Sequence, residues 1–324
     1  MEFKYSISLL FSNMGYVLKI FLWVLLTLLI TACIGAAILI PVFDALAVEP
    51  QVATAYGELS GEVNAFLDGG VSIRSFITEA GKDCLMLIRA VGDAGGLVAA
   101  LVICLIFLYA LYTFLVTLSY YPTSYAIDKL MSSNMRIGLA SSAALNFRQA
   151  LKFALCRLLI SLPIDIALLV VGALLFAGLF IGIGIFAFPV MLVIIIAVLG
   201  LRACFFAGWL PRLLFVKGES YYTSFGRSLR SVKVNIKGLM KAFTITFFAS
   251  MALISAMAIP TFGLVVVVIP AINYFLFRAI ELVGYYKMNG LSFYTDAANV
   301  VNTVEFGYRA QNQTDAVRVD GDEE

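Results

Sequence analysis

Apolar stretches long enough to cross a lipid bilayer dominate this chain. Residues 20–41 and 97–118 each match the roughly 20 residues that a transmembrane helix needs. Residues 158–201 and 242–286 are about twice that length and are interrupted by glycines and prolines, so each predicts two spans joined by a tight turn. Only 13% of the residues are charged, whereas a soluble domain carries about 25%. The sequence therefore predicts an all-α polytopic integral membrane protein with six transmembrane helices in three hairpins, and it excludes a soluble fold.

A polar insertion over residues 44–93 separates the first and second predicted spans. Apolar residues recur at spacings of three and four in each half of the insertion, and Gly69 and Gly70 separate the halves. This pattern predicts two amphipathic helices, whose apolar faces must be covered by each other, by the membrane surface or by a partner. The first face comprises Val52, Tyr56, Leu59, Val63 and Phe66, and the second comprises Ile73, Phe76, Ala80, Cys84, Leu87 and Val91.

Charges in two short connections predict the orientation of the chain. Five basic residues face one acidic residue between positions 120 and 157, and seven face one between positions 211 and 241. By the positive-inside rule both connections are cytoplasmic, which places the insertion outside the cytoplasm and both termini inside. We therefore expect a multi-pass protein of the cell (plasma) membrane. Its single transmembrane domain covers residues 1–310, and residues 311–324 form a polar, acidic and disordered cytoplasmic tail.

Four charged residues interrupt the apolar runs. Asp165 and Arg202 are equally far from a turn centred between residues 183 and 184, so they should lie side by side on antiparallel helices. Arg278 and Glu281 share one face of the last helix. At 1.5 Å per residue, Asp165, Arg202 and Arg278 lie about 12 to 15 Å from flanking basic residues, at similar depth. Ionisable residues so deep indicate a substrate or ion path. The alternative is a structural tie between hairpins.

Four basic residues recur at spacings of three, three and four in the second basic connection. This spacing predicts a helix on the inner membrane surface, with its charged face toward anionic lipid headgroups. Ordinary positive-inside anchoring is the alternative interpretation. The charged face comprises Arg227, Arg230, Lys233 and Lys237, and the apolar face comprises Leu229, Val232, Ile236 and Leu239.

The composition restricts the chemistry that the chain can perform. Histidine is absent, which excludes imidazole as a catalytic base, proton shuttle or metal ligand. The five cysteines include no Cys-x-x-Cys spacing for zinc, and the net charge of +2 predicts no bulk attraction to nucleic acid. We expect no catalytic residue, no cofactor and no metal site. The expected partners are the lipid bilayer, especially anionic headgroups, and another membrane protein.

One segment carries a family resemblance. Ser228, Lys233 and Asn235, followed by Gly-Leu-Met-Lys-Ala-Phe at residues 238–243, lead into a membrane helix. This arrangement resembles the amphiphilic segments of bacterial six-helix membrane proteins, of the type fused to some glycerophosphodiester phosphodiesterases. The resemblance covers residues 120–290 in pattern and implies a stand-alone six-helix bundle. The catalytic domain of those fusions has no counterpart here, so no active-site residue carries over.

Two classes of function follow from these patterns, with a third in the background. The leading prediction is a non-enzymatic accessory or scaffolding protein that binds lipid or a membrane partner through the insertion and the basic segments. The alternative is a small secondary transporter or permease, which the repeated hairpins and the four intramembrane charges indicate. An intramembrane enzyme would have to use Asp165 and Glu281 as its carboxylate pair.

Overall fold

The computed structural model describes residues 2–216, 218–296 and 299–302, and nearly all of these are helical. The tail predicted over residues 311–324 lies outside the described residues. The helices are α1 (Glu2–Ser12), α2 (Met14–Val48), α3 (Pro50–Leu67), α4 (Ile73–Asp93), α5 (Gly95–Leu118), α6 (Tyr120–Ser133), α7 (Leu139–Ile183), α8 (Ala187–Ala207), α9 (Trp209–Phe215), α10 (Tyr221–Val234), α11 (Ile236–Met257) and α12 (Leu264–Met288). Two short antiparallel strands, β1 (Phe293–Tyr294) and β2 (Val300–Val301), follow α12.

Within the described residues, six helical segments are long and apolar enough to cross a membrane. They confirm the all-α polytopic membrane fold. Helices α5 and α6 together make one segment, and α8 and α9 make another. The six segments are Met14–Val48, Gly95–Ser133, Leu139–Ile183, Ala187–Phe215, Ile236–Met257 and Leu264–Met288.

The two predicted tight turns lie where the sequence places them. Helix α7 ends at Ile183, and Gly184 follows with φ of 58° before α8 begins. The turn between α11 and α12 ends at Gly263, which has φ of 81°. Glycine reaches positive φ without the steric penalty of a Cβ atom, so both turns require it. The second and third hairpins are therefore α7 with α8 and α11 with α12.

Helices extend into three segments that the sequence predicts as insertion or connection. Helix α2 continues through Pro41 to Val48, so the first residues of the predicted insertion, 44–48, continue the helix of the first span. Helix α7 begins at residue 139, within the connection predicted between positions 120 and 157, and continues without a break into the third span. The connection after residue 120 contains α6, which is largely buried. Pro41 does not interrupt α2, because a single proline need not end a membrane helix.

The described chain forms two compact units. The first comprises Met1–Leu26 with Phe114–Glu324, and the second comprises Thr27–Thr113. The core of the first unit joins α1, the start of α2, α6 and α12. Its fully buried side chains include Leu9, Ile127, Met131, Phe275 and Leu282.

The second unit contains the two-helix insertion, and its two predicted helices are confirmed. Helix α3 packs on α4 around Val52, Ala55 and Ala90, and the rings of Phe66 and Phe76 stack with centroids 4.4 Å apart. The two helices therefore cover much of each other's apolar face. Tyr56, Leu67 and Ile73 stay more than 60% exposed, and these side chains keep an apolar surface on the insertion.

A buried carboxylate holds α1 against the end of α12. The Oε1 atom of Glu2 accepts hydrogen bonds from Lys287 Nζ at 2.9 Å and from Asn235 Nδ2 at 3.3 Å. Burial of Glu2 raises the pKa of its carboxyl, but the hydrogen bonds and the positive charge of Lys287 outweigh that effect and lower the pKa to about 2. The folded state therefore favours the ionised carboxylate.

This lowered pKa predicts an acid-dependent loss of stability. In the unfolded chain the Glu2 carboxyl has its ordinary pKa of 4.5 and binds a proton below that pH, whereas in the folded chain it stays ionised down to about pH 2. The stabilisation that is present above pH 4.5 is therefore lost as the pH falls toward 2. Its size is about 3 kcal/mol. We expect Glu2→Gln to lower the free energy of unfolding at pH 7 and to flatten its decline between pH 5 and 2, measured by denaturant unfolding in detergent. An unchanged decline in the variant would contradict this role of Glu2.

Candidate functional site

Asp165 and Arg202 form an ion pair across the second hairpin. Asp165 lies on α7 and Arg202 on α8, and the guanidinium donates through Nε and Nη2 to the two carboxylate oxygens. This bidentate geometry is the stronger form of an arginine–carboxylate contact. The Asp165 side chain is 8% exposed and that of Arg202 25%. The predicted side-by-side placement is confirmed, because the turn at Gly184 sets the register of the two helices.

Arg278 and Glu281 form the second predicted pair. Arg278 Nη2 lies 2.7 Å from Glu281 Oε1, and both side chains are at most 4% exposed. The two residues are on the same helix, α12, while Asp165 and Arg202 lie within one hairpin. Neither ion pair by itself therefore joins two different hairpins.

Arg157 connects the two pairs, and the sequence analysis missed it. The side chain is on α7 and only 7% of the residue is exposed. Its guanidinium carbon lies 4.6 Å from the ring centroid of Tyr120 and 4.9 Å from that of Phe206. Desolvated cation–π contacts of this kind contribute about 2 kcal/mol or more.

The same two rings contact the other two arginines. The Arg278 guanidinium carbon is 4.1 Å from the Tyr120 centroid, and that of Arg202 is 5.7 Å from the Phe206 centroid. Three guanidinium groups thus alternate with two aromatic rings across α6, α7, α8 and α12. This alternation, more than the ion pairs, joins the second hairpin to the third. We call the ionised residues of this set the charged cluster; they are Arg157, Asp165, Arg202, Arg278 and Glu281.

The charged cluster carries an excess of positive charge and of hydrogen-bond donors. Three arginines face two carboxylates, which leaves one net positive charge. Within the described residues, several of its buried polar atoms lack a hydrogen-bond partner, and each such atom costs about 1 to 3 kcal/mol. These atoms are Nη1 of Arg157, Nε and Nη1 of Arg278, Oε2 of Glu281, and Oγ of Ser161 one turn beyond Arg157. An oxyanion placed here would meet guanidinium donors and a favourable charge.

The predicted lipid-binding face of the basic segment is interrupted. Helix α10 ends at Val234, and Asn235 breaks the chain direction before α11, so Lys237 is on a different helix from the other three basic residues. Arg227 Nη1 pairs with Glu219 Oε1 at 3.0 Å, whereas Arg230 and Lys233 are exposed. The prediction of one continuous charged face is therefore wrong. Asn235 lies at the junction of α10 and α11, where its Nδ2 donates a hydrogen bond to Glu2 Oε1.

The buried side of α10 also differs from the predicted apolar face. Its buried residues are Ser224, Ser228 and Val232. Gly208 lies so close to α10 that a Cβ atom added to it would be 2.8 Å from Val232 Cγ2. Small side chains permit such a close approach between helices. Helix α10 therefore packs on the bundle through small residues and through Phe225, whose ring centroid lies 4.7 Å from that of Trp209.

An apolar cavity of about 620 Å³ lies between α2, the junction of α5 with α6, and α7. This volume is within the roughly 300 to 1,000 Å³ that is usual for ligand pockets. The residues that line it are Lys19, Ile20, Trp23, Leu118, Ser119, Pro122, Thr123, Leu139, Ala140, Ala143, Phe147 and Ala150. Nothing in the sequence pattern indicated it, because its walls come from three separate segments.

No family model, curated protein or solved structure matches this chain. The resemblance to membrane domains of glycerophosphodiester phosphodiesterases thus stays a prediction. Among the described residues, no group of three or more Asp, Glu or Cys side chains is placed to hold a metal ion.

A signal for Arg157 was present in the sequence. Arg157, Ser161 and Asp165 recur at intervals of four, which is a polar stripe on one face of an apolar helix. Without Arg157 the two connections still hold eleven basic residues against two acidic ones, so the expected orientation does not change.

Proposed function

We propose that this chain is a non-enzymatic accessory membrane protein that binds a lipid molecule in the apolar cavity. The observation that carries the proposal is the cavity itself, which is bounded by three membrane segments and lined almost entirely by apolar side chains. An apolar space of this size favours a hydrocarbon chain over water, because water needs several polar partners. Trp23 and Lys19 at one end are typical of the membrane interface, where a lipid presents its polar part.

Location and orientation are part of the same proposal. We infer a plasma-membrane protein whose termini and basic connections face the cytoplasm. The support is the excess of basic over acidic residues in the connections at 120–157 and 211–241. The cavity would then open toward the inner leaflet, since it is lined by the start of α2 and the start of α7.

Filling the cavity tests lipid binding. Ala143 lines the cavity on α7, and Ala143→Phe places a ring where a hydrocarbon chain would lie. We expect the purified variant to lose most of the lipid that co-purifies with the wild-type chain after mild detergent extraction. Native mass spectrometry would measure the retained lipid per chain.

A neighbouring alanine supplies the matched control. Ala144 is exposed on α7 and is not among the lining residues. Ala144→Phe makes the same change outside the cavity and should leave lipid retention at the wild-type level. Equal retention by the Ala143→Phe and Ala144→Phe variants would refute lipid binding in this cavity.

A small transporter or permease is the second candidate function. The excess donors and net positive charge of the charged cluster favour it, because such residues inside a membrane commonly bind an anionic substrate. An anionic substrate would satisfy the unpartnered atoms of Arg157 and Arg278. Reconstitution into liposomes, with uptake measured for the wild-type chain and for variants of Asp165 and Arg202, distinguishes this function from lipid binding.

A further inference from the structure

A smaller polar cavity of about 260 Å³ adjoins the apolar one. Lys19 lines both cavities. Along α2 the lining of the polar cavity ends at Lys19, and the lining of the apolar cavity continues through Ile20 and Trp23. On the other wall, the lining of the polar cavity ends at Gly138, just before α7, and the lining of the apolar cavity begins at Leu139. The polarity therefore changes in the same direction along both walls.

Two cations line the polar cavity. Lys19 and Arg136 are both exposed there, and no residue that the structure describes in its lining is acidic. The turn between α1 and α2 also contributes Ser12, Asn13, Met14 and Gly15 to the lining. Among the described residues, neither cation has a carboxylate within ion-pair distance, so both charges are available to a ligand.

The loop that carries Arg136 is fixed in place. The hydroxyl of Tyr16 on α2 donates a hydrogen bond to the carbonyl oxygen of Ile137, with 2.5 Å between the oxygens. Asn134 ends α6 in a left-handed conformation, with φ of 52°. The loop is thus tied to α2, and it holds Arg136 on the same cavity as Lys19.

We propose that the two cavities form one site for an anionic phospholipid. Its phosphate-containing headgroup lies in the polar cavity against Lys19 and Arg136, and an acyl chain lies in the apolar cavity. This inference rests on the proposed lipid-binding function and names the lipid class. Two basic side chains near a headgroup favour an anionic over a zwitterionic lipid by about tenfold or more.

The test uses the full chain in nanodiscs that contain equal amounts of phosphatidylglycerol and phosphatidylcholine with identical acyl chains. Lipid retained after transfer to mild detergent is counted by native mass spectrometry. We expect the wild-type chain to retain phosphatidylglycerol about tenfold over phosphatidylcholine. The double variant Lys19→Gln/Arg136→Gln should bind both lipids about equally, with total retention preserved by the intact apolar cavity.

A second double variant controls for the net charge of the protein. Arg230→Gln/Lys233→Gln removes two exposed basic residues from α10, and it should keep the preference for phosphatidylglycerol. The headgroup assignment is overturned if this control loses the preference for phosphatidylglycerol. It is also overturned if Lys19→Gln/Arg136→Gln keeps that preference. Loss of all retained lipid from the wild-type chain refutes the underlying lipid-binding function instead.

Free glycerol 3-phosphate separates a lipid from a soluble phosphate ligand. It carries the same phosphate but has no acyl chain for the apolar cavity. At millimolar concentration it should leave the bound phosphatidylglycerol in place. Its displacement of the lipid would overturn the proposal, because the polar cavity would then suffice as a site for a small anion.

Discussion

Glu281→Gln should destabilise the protein more than any other single change in the charged cluster. Arg278 would lose its only carboxylate at ion-pair distance among the described residues, and the net charge of the cluster would rise from one to two. Removing one partner of a fully buried pair costs about 3 to 5 kcal/mol, because the remaining charge stays desolvated. The free energy of unfolding, measured by denaturant titration in mixed micelles, should fall by that amount.

Two further variants make this prediction falsifiable. Glu79→Gln breaks the exposed Glu79–Lys82 pair of α4, which joins atoms 2.8 Å apart, and should cost less than about 1 kcal/mol. Arg157→Met in the Glu281→Gln background restores the original net charge and should recover part of the lost stability. Additive effects of Arg157→Met and Glu281→Gln would show that the two residues are not coupled.

The sequence was sufficient for the parts of the fold that one-dimensional patterns encode. Apolar run lengths determine the six spans, and glycine at positions 184 and 263 permits the positive φ of the turns. Once the turn at residue 184 is known, the antiparallel register places Asp165 opposite Arg202. These inferences use only the helical rise and the bilayer thickness.

Other features depend on contacts between distant segments. The cation–π contacts of Arg157 require α6 and α8 to bring Tyr120 and Phe206 to it, and no local pattern encodes that packing. The hydrogen bond of Asn235 to Glu2 likewise joins residues that are 233 positions apart. The apolar cavity is a space left between three helices, so its position follows from packing and not from composition.

Asp165→Asn should have the second largest effect within the charged cluster. It leaves Arg202 without its bidentate carboxylate, but the Arg202 side chain is 25% exposed and can extend toward the membrane interface. The expected loss in free energy of unfolding is about 2 kcal/mol, below that of Glu281→Gln. Denaturant titration in mixed micelles, performed on both variants side by side, measures the difference. A loss for Asp165→Asn larger than that for Glu281→Gln would contradict this prediction. It would mean that the Arg202 guanidinium is held in place by the ring of Phe206 and cannot reach the interface.

The double variant Asp165→Asn/Arg202→Gln then separates structure from transport. Removing both charges leaves no uncompensated ion, so the double variant should unfold closer to the wild-type free energy than Asp165→Asn does. Under the lipid-binding proposal it retains lipid at the wild-type level, because neither residue lines the cavities. A transporter would instead lose uptake in liposomes while staying folded. Folded protein with normal lipid retention and abolished uptake would therefore favour the transport function over the accessory one.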